Sequence, residues 1–178
     1  GSGFYEFLDG AEQHAVDTPY GPPAGSITVG NIAGHRLAFM PRHGRHHDYA
    51  AHRVPFRANV WAMHSLGVRT LIAPCSVGSL QPDIHPGQLV VLDQLVDRTW
   101  GRRDTFHDVG GPEAEPGVAG PVHHQTFADP YDPALRTVLV EAGRRSGADV
   151  IDGGTMVVIN GPRFSTRAES AWFRAMGW

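Results

Sequence analysis

The fold turns on Asp132-Pro133-Ala134-Leu135-Arg136-Thr137-Val138-Leu139-Val140-Glu141-Ala142-Gly143-Arg144-Arg145-Ser146-Gly147, followed by Thr155-Met156-Val157-Val158-Ile159. Asp132 offers a carboxylate to cap a helix, and Pro133 fits the first helical position, where its missing N–H costs nothing. Leu135, Val138, Leu139 and Ala142 recur at helical spacing on one face, and Gly147 supplies the stop. The segment Thr155 to Ile159 then switches to the β-branched and apolar residues of a strand. Upstream, Gln88 to Val96 is a Val- and Leu-rich run bounded by turn residues, with Pro82 and Pro86 ahead of it, and reads as a buried strand.

The same alternation extends outward. Ser26 to Val29 and Arg36 to Met40 flank Asn31 to His35, a segment with Gly30 and Gly34 at its borders, and predict a β-hairpin. Pro55 opens a second helix, in which Phe56, Val60 and Met63 recur at helical spacing and Gly67 supplies a left-handed cap. Trp61, Met63 and Leu66 are expected in the core, with His64 beside them. Val68 to Pro74 reads as another buried strand. Thr166 with Glu169 three residues on predicts a capping box for a last helix. Val109 to Pro121, rich in Gly, Pro, Glu and Ala, reads as a loop. The class is α/β: a single domain, residues 1–178, with a central mixed sheet flanked by helices.

Composition sets limits. The 178 residues are 41% hydrophobic and carry a formal charge of −3, which suits one soluble domain with a real core and argues against a nucleic-acid surface. Cys75 is the only cysteine and cannot form an internal disulfide. No apolar run approaches a membrane span and no basic-then-apolar leader is visible, so the cytoplasm is the expected compartment.

Four segments carry candidate chemistry. Pro41-Arg42-His43-Gly44-Arg45-His46-His47 follows the apolar run Leu37 to Met40 and gathers two fixed cations and three imidazoles about one glycine. Arginine forks match carboxylate or phosphate oxygens, so an anion site is expected, with a solvated basic loop as the plain alternative. Gly1-Ser2-Gly3 would let backbone N–H groups and a hydroxyl approach an anion, and equally suits a disordered end. Cys75-Ser76-Val77-Gly78-Ser79-Leu80 leaves a strand where open α/β sheets place ligands, although a strand-exit turn would look the same. Asn160 to Glu169 puts a Gly-Pro turn, the ring of Phe164 and hydroxyls at a helix start. That ring could stack on a flat base, or belong to the core.

These strings, in order, resemble one family. Gly-Ser-Gly-Phe at 1–4, Asp17-Thr18-Pro19-Tyr20-Gly21, Arg42-His43-Gly44-Arg45-His46-His47, Arg57 to Ala62, Gly78-Ser79-Leu80, Asp93 to Thr99 and Gly161 to Glu169 are similar to the methylthioadenosine phosphorylase branch of the trimeric purine nucleoside phosphorylases. The match runs from end to end, and the Arg-His-Gly-Arg-x-His string favours the 5′-methylthio enzymes.

The resemblance implies that Ser2, Arg42 and His43 hold phosphate, helped by Cys75 and Ser76, where the family usually has Thr then Ala. It implies that His47 lines the ribose and 5′ pocket and that His124 reaches the nucleoside of a neighbouring subunit. Phe164 would stack on the purine, with Ser165 at its edge. The implied reaction is phosphorolysis of 5′-methylthioadenosine or 5′-methylthioinosine to the purine and 5-methylthioribose 1-phosphate, with inosine or guanosine as alternative substrates. Phosphate is co-substrate, no metal or other cofactor is needed, and the implied assembly is a homotrimer. The family domain also has an apolar strand ahead of the glycine loop. After the helix that ends near Trp178 it has a strand with a Met-Thr or Met-Ser pair, a strand with Asp or Asn that reads the purine, and a closing helix. The expected domain is therefore incomplete at both ends, and 178 residues alone are expected to be weakly active or inactive.

Two rival classes stand beside this reading. His43 and His47, four apart, could share a helical face and combine with His123, His124, Asp83, Asp97 or Asp108 in a metal-dependent hydrolase; Arg42 and Arg45 oppose a dication there. A nucleoside-binding subunit without catalysis is the other.

Overall fold

The computed structural model describes residues 11–107 and 124–178. The chain is mixed α/β, as expected, and separates into two compact units: residues 1–76 with 101–123, and residues 77–100 with 124–178. Among the described residues no helix is long and apolar enough to cross a membrane.

In the first unit, β1 (Glu12–His14), β2 (Ile27–Ile32) and β3 (His35–Phe39) form an antiparallel sheet in that order. The expected hairpin is present. Ile32 pairs with His35 across Ala33 and Gly34, whose φ angles of 49° and 81° are both positive, as a turn that follows the right-handed twist of two strands requires. Helix α1 (Phe56–Ser65) ends as its sequence predicts: Gly67 at φ 89° lets its own N–H reach His64 O (3.0 Å) and the Val68 N–H reach Met63 O (3.2 Å). Its buried face consists of Ala58, Asn59, Ala62 and Met63, and Ala62 and Met63 close on Ile27 and Val29. Phe56 and Val60, expected on that face, are exposed; the Arg102 guanidinium covers the Phe56 ring at 4.9 Å. Leu66 packs at the margin of the core.

Val68 to Pro74 is not a strand. It runs irregular and largely exposed, with Leu71 and Ile72 more than half open to solvent. Apolar composition alone does not make a strand: backbone N–H and C=O groups need a ladder, and no described residue pairs with this segment.

The second unit is built on two parallel ladders. Strand β4 (Leu89–Val91) pairs with β6 (Val150–Asp152), and β5 (Gln94–Arg98) pairs with β7 (Thr155–Ile159). The run Gln88 to Val96 is thus broken rather than continuous. Pairing keeps one register across the break, since Val91 opposes Asp152 and Gln94 opposes Thr155. The interruption falls at Leu92 and Asp93, opposite Gly153 and Gly154. There Gly153 N donates to Val91 O (2.9 Å) and Gly154 N donates to the Asp93 carboxylate (2.9 Å). A carboxylate replaces a ladder carbonyl, and the ribbon turns without losing register.

Helix α2 (Pro133–Arg145) crosses over between the paired strands, capped by Asp132 Oδ1 accepting from Leu135 N at 2.7 Å. Its inner face is shifted from the predicted one. Leu135 and Leu139 are half-buried as expected, Val138 and Ala142 are exposed and Val140 is buried, so the face runs through Leu135, Arg136, Leu139, Val140 and Gly143. Apolar periodicity misplaces such a face because two of its members are an arginine and a glycine. Arg136 donates to Leu92 O (2.8 Å) and to Asp152 Oδ1 (2.6 Å), tying the helix to the break. Helix α3 (Arg167–Ala175) carries the predicted capping box on Thr166 and Glu169, and Phe173, 3% exposed, is its buried anchor between Trp172 and Trp178.

Candidate functional site

Strand β3 delivers the chain to Pro41, where a tight turn begins. Gly44 N donates to Pro41 O at 2.9 Å, and Gly44 holds φ 81° with its α-carbon against Asp48. A side chain at this position would meet the Asp48 carboxylate in a backbone conformation that L-residues avoid. The glycine is therefore required for the turn that presents Arg42 and His43.

Each of the two is anchored. Asn59, 6% exposed on α1, accepts from Ala24 N (2.8 Å) and donates to Arg42 O (3.4 Å), fixing the backbone under the arginine. Arg42 Nη1 donates to Pro74 O (3.4 Å), so the guanidinium sits beside the backbone that enters Cys75 and Ser76. His43 and Tyr49 bond twice: the ring Nδ1 lies 3.0 Å from Tyr49 O, and Tyr49 N donates to His43 O at 2.9 Å. His47, at φ 59°, stacks on His43 with ring centroids 5.5 Å apart and planes 12° from parallel. Arg42 and the Cys75 segment, far apart in sequence, are thus neighbours. Cys75 and Ser76 are both exposed. Ser2 lies outside the described residues.

In the second unit, the segment Asn160 to Thr166 links β7 to α3. Asn160 continues the β5–β7 ladder with its side chain, accepting from Trp100 N and donating to Trp100 O, each at 3.0 Å. Phe164 is 93% exposed and has no part in the core. Ser165 Oγ lies 2.8 Å from Ser170 Oγ on α3. The loop is held by Arg163, which grips both Glu169 oxygens at 2.8 Å, while Glu169 also accepts from Thr166 N at 2.7 Å. The guanidinium first, and the Thr166 backbone bond next, bring the Glu169 carboxyl down to about 2 from an ordinary 4.5; the hydrogen bonds to Glu169 and then its charge raise Arg163. His124 is exposed in this unit.

The rival metal set does not assemble among the described residues, which contain no group of three or more His, Cys, Asp and Glu side chains able to hold an ion. His43 and His47 lie on a turn and face each other as stacked rings, not as two ligands on a helix. His123 and Asp108 lie outside the described residues.

Sequence reading passed over Asn59, Tyr49 and Arg163 as functional supports. Asn59 left a signal: an amide among Ala58, Ala62 and Met63, on a helix face otherwise apolar, has to find partners if buried. Tyr49 left none, because its backbone, not its side chain, orients His43. Arg163 with Glu169 was legible only as part of a string.

Comparison with known proteins agrees over the entire length. The profile of the phosphorylase superfamily matches residues 1–178. The chain is 55% identical over 179 aligned residues to the S-methyl-5′-thioadenosine phosphorylase of Mycolicibacterium smegmatis, covering 100% of this chain and 63% of that protein. It is 51% identical over 178 residues to the purine nucleoside phosphorylase of Streptomyces coelicolor, again covering 100% and 63%. Among solved structures, methylthioadenosine phosphorylase from Schistosoma mansoni in complex with adenine superposes with a TM-score of 0.92 at 35% identity, over 99% of this chain and 69% of that one. The chain therefore spans about 63% of the length of these bacterial relatives.

Proposed function

Because this chain belongs to the phosphorylase superfamily, we propose that it carries the phosphate-binding turn and the base-stacking loop of an enzyme that cleaves 5′-methylthio purine nucleosides with phosphate. The products are the free purine and 5-methylthioribose 1-phosphate. The observation that carries this reading is the anchoring of Arg42 and His43 on a rigid turn, with the arginine drawn to the backbone ahead of Cys75 and Ser76.

In this proposal Arg42 and His43, with Ser2 and the Cys75–Ser76 backbone, hold the anion, while His47 lines the sugar pocket. Phe164 offers an open ring face to the purine, and Ser165 stands at the purine edge. Cleavage of an N-glycosidic bond proceeds through an oxocarbenium-like transition state. A phosphate held beneath C1′ both stabilises that charge and attacks, so orientation supplies much of the rate. The C1′–O bond forms as the C1′–N bond breaks, the bonding pair leaving with the purine. Phosphate is co-substrate, and no metal or other cofactor enters the scheme.

The continuous family match over 1–178 supports treating the chain as a single, partial domain. We assign it to the cytoplasm on its lone cysteine, and to a homotrimer in which the exposed His124 serves a neighbouring site. If so, Arg42→Ala and His124→Ala subunits mixed in one sample recover part of the activity that each lacks alone.

A second substrate class is favoured by a specific observation, the 51% identity to a relative named purine nucleoside phosphorylase. Incubation with methylthioadenosine, methylthioinosine or inosine, with and without phosphate, separates the two. Phosphate-dependent release of adenine and methylthioribose 1-phosphate upholds the phosphorolytic site, and the 178 residues alone are expected to give it weakly or not at all. Release from inosine alone moves the enzyme to the other class. Nucleoside binding without any base released, by protein of verified mass, assigns a non-catalytic role to the 178 residues.

A further inference from the structure

We propose that the anion site at Arg42 and His43 selects tetrahedral oxyanions that carry a proton, with His43 Nε2 accepting that proton in a hydrogen bond. This deepens the phosphorolytic reading and rests on it. His43 Nδ1 stands 3.0 Å from Tyr49 O. A carbonyl oxygen can only accept, so Nδ1 holds the hydrogen. The return bond from Tyr49 N to His43 O (2.9 Å) and the His47 ring stacked on the imidazole keep this arrangement in place.

A neutral imidazole has one protonated nitrogen and one lone pair. With Nδ1 committed to Tyr49, Nε2 is an acceptor. Such a nitrogen repels a bare anionic oxygen and welcomes an oxygen that bears hydrogen. Hydrogen phosphate and hydrogen arsenate have such an oxygen near neutral pH; sulfate has none. Arg42 attracts all three ions alike through charge and forked donors, so discrimination falls to His43. Holding the P–OH at Nε2 also leaves the unprotonated phosphate oxygens for Arg42 and for attack on C1′.

Among the described residues, the charged and titratable groups beside this ring include, with Tyr49 that bonds to it through the backbone, those of its own turn. They are Arg42 before it, Arg45 and His46 after it, His47 stacked on it, and Asp48, whose carboxylate accepts from His46 N at 3.3 Å. The Pro74 to Ser76 segment drawn to Arg42 brings the Cys75 thiol and no fixed charge, and Asn59 of α1 is neutral.

The test is calorimetric titration of the protein with inorganic phosphate and with sulfate at matched ionic strength. It is run at about pH 8, where free imidazole is neutral, and about pH 5.5, where it is charged. At the higher pH phosphate binds at least about tenfold more tightly than sulfate, the scale of one mismatched polar contact. The ratio narrows several-fold at the lower pH, as imidazolium donates to both ions. His43→Gln, whose amide can donate at either pH, narrows the ratio at the higher pH, and the pH dependence that remains is that of phosphate itself, which gains a second proton by the lower pH while sulfate stays a dianion. Equal affinities for the two ions at the higher pH, or a preference that His43→Gln leaves intact, overturn the proposal while phosphate binding still upholds the site. Absence of phosphate binding, or binding unchanged by Arg42→Ala, removes the site and the proposal together. Should His43→Gln not fold, nitrogen NMR of the parent decides: a neutral His43 with hydrogen on Nδ1 upholds the inference, and hydrogen on Nε2 overturns it.

Discussion

Arg163 and Glu169 meet end to end, with Nη1 2.8 Å from Oε2 and Nη2 2.8 Å from Oε1. The pair closes the segment that carries Phe164 and Ser165 onto the first turn of α3, where Glu169 also serves the capping box. One carboxylate therefore fixes a helix start and the loop expected to receive the purine.

The pH response of this pair follows from its sign. The Glu169 carboxyl is depressed to about 2 in the folded chain from an ordinary 4.5. Its contribution is fully present above the unfolded value and is lost as pH falls from there through about 2. Carbon NMR of the Glu169 carboxyl titrates with a midpoint near that value. Arg163→Ala returns the midpoint toward the ordinary carboxylate range, and so, in part, does high salt, because the pair is open to solvent.

Phe164 allows binding to be measured apart from stability. At 93% exposure it contributes no core contact, so Phe164→Ala leaves stability within about 0.5 kcal/mol of the parent. Its loss from a stacked base weakens nucleoside binding by about 1–3 kcal/mol. The readout is the KM for nucleoside beside a thermal melt; a fall in stability with unchanged KM would assign the ring to packing instead.

Asn59 couples the core to the turn that carries Arg42 and His43. Asn59→Ala leaves the buried Ala24 N–H without its acceptor and frees the Arg42 carbonyl. The expected cost is about 1–3 kcal/mol in stability by chemical denaturation. At temperatures where the variant remains folded, the KM for phosphate rises while the KM for nucleoside stays near the parent value.

Gly143 marks a close approach of α2 to β6. A β-carbon there would stand 2.6 Å from Val150 Cγ2, a branched side chain with little freedom to move. Gly143→Ala therefore destabilises by about 1–3 kcal/mol through overpacking, despite the roughly 1 kcal/mol that alanine favours in a helix. Val150→Ala in the same chain restores part of the loss, and a double-mutant cycle by thermal melts reads the coupling.

The sequence by itself determined what depends on neighbours in the chain. The Ala33–Gly34 hairpin, the Asp132 and Thr166 caps and the Gly67 stop are each satisfied within a few residues, so local composition suffices to read them. The candidate residues of the anion turn and of the purine loop were legible for the same reason, as short strings of unusual chemistry.

Only the tertiary structure decided what depends on a partner distant in sequence. Val68 to Pro74 has the composition of a strand and no ladder among the described residues. Gln88 to Val96 is one apolar run, and Gly153 and Gly154, some sixty residues away, break it in two. Helix α2 turns toward Arg136 and Gly143 because a guanidinium finds carbonyls at that break and a bare α-carbon lets Val150 in. Asn59 under Arg42, and the Tyr49 carbonyl 3.0 Å from His43 Nδ1, belong to the same class. A backbone acceptor has no letter in the sequence, and a buried polar group is satisfied only once the chain has brought its partner alongside.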